Sequence, residues 1–287
     1  MTRSLTNPLS YLGFQRIEPS AKLSNLIDCY WFIYTNKRKS INSREYLQPD
    51  GGMGIILNYG DALNLDGKPQ TEKCILDGTN TFTRELELHG FINAVGIRFK
   101  PAGAFLFLPM PLTVLKNETT SLSNISTNNY SDLYDNVYKS KTNIAKASVI
   151  EEWLSKSLQS NKSISNIIQE SINFINKHKG LAPISSLVEA SGHNQRKIER
   201  LFNLQIGMTP KEYSQILRIS EARRLIKSGN YTTWTEIAHE LGYFDQAHFT
   251  HQFKNMVGVT PSEYSKRKSI HKSLQKCSHE RYRFPRV

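Results

Sequence analysis

The stretch Phe249-Thr250-His251-Gln252-Phe253, followed by Gly258-Val259-Thr260-Pro261-Ser262-Glu263-Tyr264, has an earlier counterpart. That counterpart is Ile198-Glu199-Arg200-Leu201-Phe202 followed by Gly207-Met208-Thr209-Pro210-Lys211-Glu212-Tyr213. Phe202 and Phe253, Gly207 and Gly258, Pro210 and Pro261, and Tyr213 and Tyr264 are each 51 residues apart, so one register fits four landmarks. Two copies of a unit of roughly 50 residues are too few for a solenoid, which needs about three to bury a continuous core. They read as two small modules placed side by side.

Each module reads as helix, turn, helix. In the first, residues 184–190 form a short helix, Ser191-Gly192-His193 a tight turn, and Asn194 caps a second helix that runs to about Gln205. Ile198, Leu201 and Phe202 face inward, while Arg196, Glu199 and Arg200 share the outward face at i, i+3, i+4 spacing. In the second, residues 234–241 form the first helix, Gly242-Tyr243-Phe244 the turn, and Asp245 the cap. The helix from Gln246 to about Met256 turns Phe249 and Phe253 inward and Gln246, Ala247, Thr250 and His251 outward. Arg reads guanine bidentately in a major groove, and Gln or Thr reads adenine and thymine edges or grips phosphate. Between the modules, residues 211–227 form one helix of roughly 25 Å at 1.5 Å per residue. With the width of the modules added, it holds two groove-reading helices near the ~34 Å repeat of B-DNA. A protein partner for one module is the alternative that spacing leaves open.

Charge agrees with this placement. Residues 1–165 hold 18 Lys+Arg against 15 Asp+Glu, and residues 166–287 hold 19 against 10, so the basic excess lies with the repeat. Such asymmetry attracts a polyanion, nucleic acid or an anionic membrane. The segment 265–287 carries eight Lys+Arg and reads as a solvated basic tail.

Upstream, residues 1–115 alternate short apolar runs with turn residues, the pattern of β-structure. The runs are 29–34 (CYWFIY), 54–58 (GIILN) and 94–100 (AVGIRFK), the last placing Val95, Ile97 and Phe99 on one face and Gly96, Arg98 and Lys100 on the other. A barrel or a sandwich is the expected assembly. Residues 119–129 are polar and read as a loop. Residues 131–138 and 147–158 follow with helical spacing, the second along Val149, Ile150, Trp153, Leu154 and Leu158. That stripe serves either a homodimer or its own β-domain. Residues 160–163 read as the linker and 164–177 as an amphipathic helix stopped near Gly180.

The second module and its surroundings resemble the DNA-binding domain of the AraC/XylS family of transcription regulators. The resemblance covers residues 166–266 and rests on Ile237-Ala238, Leu241-Gly242-Tyr243, Phe249, Phe253-Lys254, Gly258, Thr260-Pro261 and Tyr264. It implies groove-facing positions at Gln195, Arg196, Glu199 and Arg200 and at Gln246, Ala247, Thr250 and His251. The chain departs from the family at His251 and Ser265, where Arg is common. The N-terminal half resembles the uncharacterised domain often attached to these regulators, through Trp31, Gln48-Pro49-Asp50-Gly51, 55–58 and 96–103. Sensor domains of the wider family are cupin-like barrels that bind small effectors. The resemblance therefore directs an effector search to Trp31, Tyr46, Asp50, Arg98 and Lys100, each of which also has a structural reading as core or salt-bridge residue.

The expected architecture is an α+β multidomain chain: residues 1–160, a cupin-like β-barrel with accessory helices for effector sensing or dimerisation; 166–268, an all-α DNA-binding domain with two helix-turn-helix units joined by a long helix; and 269–287, the basic tail. Expected partners are a double-stranded DNA operator, RNA polymerase, a small-molecule effector and a second copy of the chain, with activation implied by resemblance alone. Three cysteines without C-x-x-C spacing fit a reducing cytoplasm, and no apolar run reaches the ~18 residues of a membrane span, so no membrane partner is expected. His248-x-x-His251 lacks a third ligand, and no catalytic motif is present, so no metal, cofactor or enzymatic activity is expected. Two rivals stay open. One is an effector-independent regulator whose N-terminal half only dimerises; the other is a DNA-alkylation repair protein using a cysteine nucleophile, for which Cys29 and Cys74 lack a neighbouring base.

Overall fold

The computed structural model describes residues 9–35, 41–125, 130–229, 231 and 233–266. The predicted basic tail at 269–287 lies outside the described residues, as does Cys277. Among the described residues, ten strands lie in the N-terminal half: β1 Gln15–Ile17, β2 Ile27–Tyr34, β3 Ile41–Leu47, β4 Gly54–Asn58, β5 Leu63–Leu65, β6 Lys68–Gln70, β7 Cys74–Asp77, β8 Arg84–Gly90, β9 Asn93–Phe99 and β10 Thr119–Ser121. They pair antiparallel into two open sheets, ordered β1-β2-β9-β4-β7-β10 and β3-β8-β5-β6. Of the two assemblies expected from the sequence, the strand ladders form the sandwich; no closed barrel is made by the described strands.

The larger sheet is covered on both faces, which is why its central strands read as apolar runs. Ile33, Ile56, Ile75 and Ala94 face Leu63, Leu65, Leu86 and Leu88 of the smaller sheet. On the opposite face Tyr30, Phe32, Ile55, Val95, Ile97 and Phe99 pack against Phe105, Phe107 and Leu108 and against two helices, α1 Tyr130–Lys139 and α2 Asn143–Ser157. β4 is consequently buried at every position. The alternation expected at 94–100 is present, because Val95, Ile97 and Phe99 join the helix-covered core while Gly96 and Arg98 face the smaller sheet. The stripe of α2 is used internally: Ile150 and Leu154 are fully buried in the same core.

Residues 119–125 depart from the expected loop. Thr119–Ser121 pair with Asp77, Leu76 and Ile75 as an edge strand, and Leu122 is buried beneath it. Edge strands tolerate polar side chains on their free side, so composition hid this one.

The C-terminal half is helical: α3 Asn166–Lys177, α4 Ile184–Ser191, α5 Gln195–Gln205, α6 Pro210–Ser228, α7 Trp234–Glu240 and α8 Gln246–Val257, with a further helix beginning after Thr260. α6 starts in a capping box, with the Glu212 N–H donating to the Thr209 hydroxyl at 3.2 Å and the Thr209 N–H to Glu212 Oε2 at 2.8 Å. Pro210 occupies its first turn and Gly229, at φ 71°, ends it. Thr260 and Glu263 repeat the box at 3.2 and 2.8 Å, so the doubled Thr-Pro-x-Glu is a doubled helix start. Each module has its own core: Ile198, Phe202 and Tyr213 in the first, Phe249, Phe253 and Tyr264 in the second.

Candidate nucleic-acid interface and inner cavity

The two modules close as their sequences predict. Gly192, at φ 64°, ends α4, and the Asn194 side chain accepts the Lys197 N–H at 2.8 Å to start α5. In the second module Asp245 accepts the His248 N–H at 2.7 Å to start α8. Each cap satisfies one of the four N–H groups that a helix start leaves free. Ile198, Phe202, Phe249 and Phe253 are fully buried, which locks the rotation of α5 and α8 about their axes and turns their other faces outward.

On α5, Gln195, Arg196 and Arg200 are exposed and Glu199 is half-buried, with the Gln195 amide donating to Glu199 Oε1 at 2.8 Å. No ion pair among the described residues engages Arg196 or Arg200. On α8, Gln246, Ala247 and His251 are exposed and Thr250 is half-buried. Gln246 accepts from the Thr235 hydroxyl of α7 at 2.9 Å, and His251 lies 3.4 Å from the Asn255 amide. Two further side chains share this surface and escaped the motif reading. Lys197 is exposed beside Arg196, and Phe244, in the turn before α8, is 89% exposed. A large ring in a turn was the available signal for Phe244.

Between the two sheets lies a cavity of about 320 Å³. Its walls are mostly apolar, including Phe14, Trp31, Ile33, Leu63, Leu88 and Ile92; one end is polar, where Gln48, Asp50, Asp77, Asn80 and Arg98 gather, and Glu45, bonded to Tyr11, also lines it. Trp31, Tyr46, Asp50 and Arg98 are thus brought together on one cavity, whereas Lys100 does not line it and donates to the Ser24 carbonyl at 2.6 Å. The Trp31 indole lies directly over Gly96, its partner across β2 and β9, where a Cβ would stand 1.8 Å from the ring. Arg98 Nε donates to Asp50 Oδ2 at 3.0 Å and its Nη2 pairs with Oδ1. Burial works against the Arg98 charge, but Asp50 and Asp77 hold its affinity for the proton above the ordinary range. Burial pushes the Asp77 carboxyl up, against the pull of Arg98 and Arg84.

The cavity's polar end abuts the first module. Gly51, at φ 81°, presses on the Tyr213 ring, where a Cβ would stand 2.5 Å away, and the Tyr213 hydroxyl donates to Asn176 at 3.0 Å. Lys116 pairs with Glu212 at 2.5 Å.

The cysteine chemistry is not favoured by its surroundings. Cys29 and Cys74 are buried, and burial pushes both thiols up to about 11, away from the thiolate that a nucleophile requires. Among the described residues no three His, Cys, Asp or Glu side chains converge to hold a metal, and no helix is long and apolar enough to cross a membrane.

Comparison with known proteins matches two separate stretches of the chain. Residues 187–267 match the family described as a helix-turn-helix domain, and residues 15–121 match a domain of unknown function, DUF6597. An uncharacterized HTH-type transcriptional regulator of Bacillus subtilis, YisR, is 32% identical over 98 residues, 34% of each chain. The HTH-type transcriptional activator RhaS of Pectobacterium carotovorum is 36% identical over 66 residues, 23% of each chain. The chain thus spans about a third or less of these curated relatives. Among solved structures, ToxT of Vibrio cholerae aligns over 79% of this chain and 98% of its own at 14% identity, with a TM-score of 0.43. The paired modules at residues 187–267 are thus similar to the helix-turn-helix domain of AraC-type transcription regulators.

Proposed function

We propose that the protein is a sequence-specific, DNA-binding transcription regulator that places α5 and α8 in successive major grooves on one face of an operator and answers to a small effector held between its two sheets. The observation that carries the first half is the pair of capped helices whose buried aromatic faces leave Arg196 and Arg200 on one, and Gln246 and Thr250 on the other, turned away from the protein. α6, with 19 residues, is about 28 Å long and joins the two modules, a length near the groove repeat. Activation through contact with RNA polymerase, residence in the cytoplasm with the DNA, and homodimerisation on the operator belong to the same reading; the similarity to RhaS, a transcriptional activator, supports the sign.

The effector half rests on the cavity. Its lining carries three carboxylates, Glu45, Asp50 and Asp77, in an otherwise apolar chamber, answered by Arg98 beside Asp50 and by Arg84 beside Asp77. A small, largely apolar molecule with a hydrogen-bond-donating or cationic end fits that chemistry. Because Asp50 precedes the Gly51 that bears on Tyr213, ligand contact at Asp50 reaches the start of α6 directly.

The test is selection of bound duplexes from a random pool, followed by titration of the selected site. Arg200→Ala should weaken binding by about 1–3 kcal/mol and relax preference at one base pair. Affinity should fall steeply with salt as released counterions demand. A variant with unchanged affinity and base preference, or a salt-insensitive complex, refutes the assignment of α5 to a groove.

A further inference from the structure

The last carbonyls of an α-helix have no partner within it and must take one from outside. At the end of α5, the carbonyl of the C-cap residue Ile206 accepts the hydroxyl of Thr79 at 2.8 Å, and Thr79 is fully buried. At the end of α8, the Met256 carbonyl accepts the Thr83 N–H at 2.7 Å. Both donors lie on residues 78–83, the loop from β7 to β8. One loop of the β-rich half therefore fastens the trailing end of each outward-facing helix.

The loop is braced as a strut needs to be. The Thr79 carbonyl accepts the Asn117 N–H at 2.8 Å, and the Thr81 N–H donates to Asn117 Oδ1 at 2.8 Å. Asn80 donates to Asp77 at 3.2 Å and accepts from Arg84 Nη1 at 3.1 Å, while the Thr83 hydroxyl donates to Gln48 at 2.9 Å. The end of α5 also comes close: a Cβ on Gly207 would stand 2.9 Å from the Thr79 hydroxyl oxygen. Other ties between the modules include α6, the Met256 side chain, which packs on both cores, and Arg218, whose guanidinium lies 5.4 Å from the Tyr243 ring centre.

We infer that Thr79 and Thr83 are positioning residues for DNA binding: by tying the ends of α5 and α8 to one braced loop, they set the mutual placement of the two helices and so the half-site spacing that the chain accepts. The inference rests on the DNA-binding reading above. Gln48, Asp77 and Asn80, which brace this loop, also line the cavity, so an occupant of the polar end acts on the same strut.

Thr79→Val keeps the side-chain shape and removes the donor; Thr79→Ser restores it. Full-length protein is titrated by fluorescence anisotropy against the selected site, against each half-site alone, and against sites lengthened or shortened by roughly two base pairs, which rotates one half-site by about 70°. Wild type should lose at least about tenfold in affinity on the altered spacings, because the second module then forfeits its effective concentration. Thr79→Val should bind single half-sites like wild type, bind the selected site more weakly, and treat all spacings alike within about threefold; Thr79→Ser should recover the spacing preference. A wild-type spacing profile in Thr79→Val overturns the inference. So does an equal loss on half-sites and full sites, which marks a merely structural role. If wild type enriches no sequence at all, the DNA-binding reading fails with it, and that outcome is distinct from the other two.

Discussion

Gly96 is a position where the sandwich leaves almost no room, and replacing it measures how the cavity wall is built. A Cβ at residue 96 would stand 1.8 Å from the Trp31 ring, where non-bonded carbons rest at about 3.5–4.0 Å. The indole must then retreat by roughly 2 Å or the strands must part. Overpacking of this kind costs about 1–3 kcal/mol, and since the ring borders open space we place Gly96→Ala near 2 kcal/mol. Trp31→Ala removes a half-buried indole and costs about 2–3 kcal/mol, less than full burial would give. In the double variant the new methyl enters the space that the indole vacated, so the two losses do not add. A coupling of about 2 kcal/mol between the sites is expected. Urea titrations of wild type, both single variants and the double variant supply the four free energies. Trp153, which packs on the core beneath the larger sheet, reports the β-rich half, and Trp234 reports the second module. Losses additive within about 0.5 kcal/mol would refute the contact and with it the placement of Trp31 on the cavity wall.

Two further expectations concern the helical half. Asn194→Ala and Asp245→Ala each remove a helix cap and should each cost about 1 kcal/mol of stability, with a matching loss of operator affinity; unchanged denaturation midpoints would contradict the capping geometry. Hydrogen bonding by Arg224, aided by Lys179, holds Glu221 down to about 2 from an ordinary 4.5. Its folded value lies below its unfolded one, so the carboxylate stabilises the chain above about pH 4.5 and that contribution disappears as the pH falls through about 2. Glu221→Gln should be less stable than wild type near neutrality, and the gap should close over that acid range; a gap independent of pH would show that the pairing does not act through charge.

The helical half was legible because its rules are local. Asn194, Asp245, Thr209 and Thr260 cap within three residues of themselves, and the spacing of Ile198 to Phe202 and Phe249 to Phe253 defines an inward stripe without knowledge of any neighbour. The outward-facing positions followed from those stripes. The β-rich half was legible only as strands. Leu122 and the edge strand at 119–121 were hidden because polar side chains there satisfy an edge, and Lys100 sits apart from the cavity because it lies beyond the end of β9, where the alternation that governs Gly96 and Arg98 no longer applies.

The sequence by itself determined two repeated helix-turn-helix modules, their caps, the faces they turn outward and a β-rich domain before them, since these depend on periodicity and on hydrogen bonds between near neighbours. Only the tertiary structure decided that the strands form a two-sheet sandwich enclosing a cavity, that Trp31, Asp50 and Arg98 meet there, and that Thr79 and Thr83 reach the ends of both outward helices. The physical reason is separation along the chain. Thr79 and Ile206 are 127 residues apart, and a hydrogen bond across that distance leaves no periodic trace in either segment.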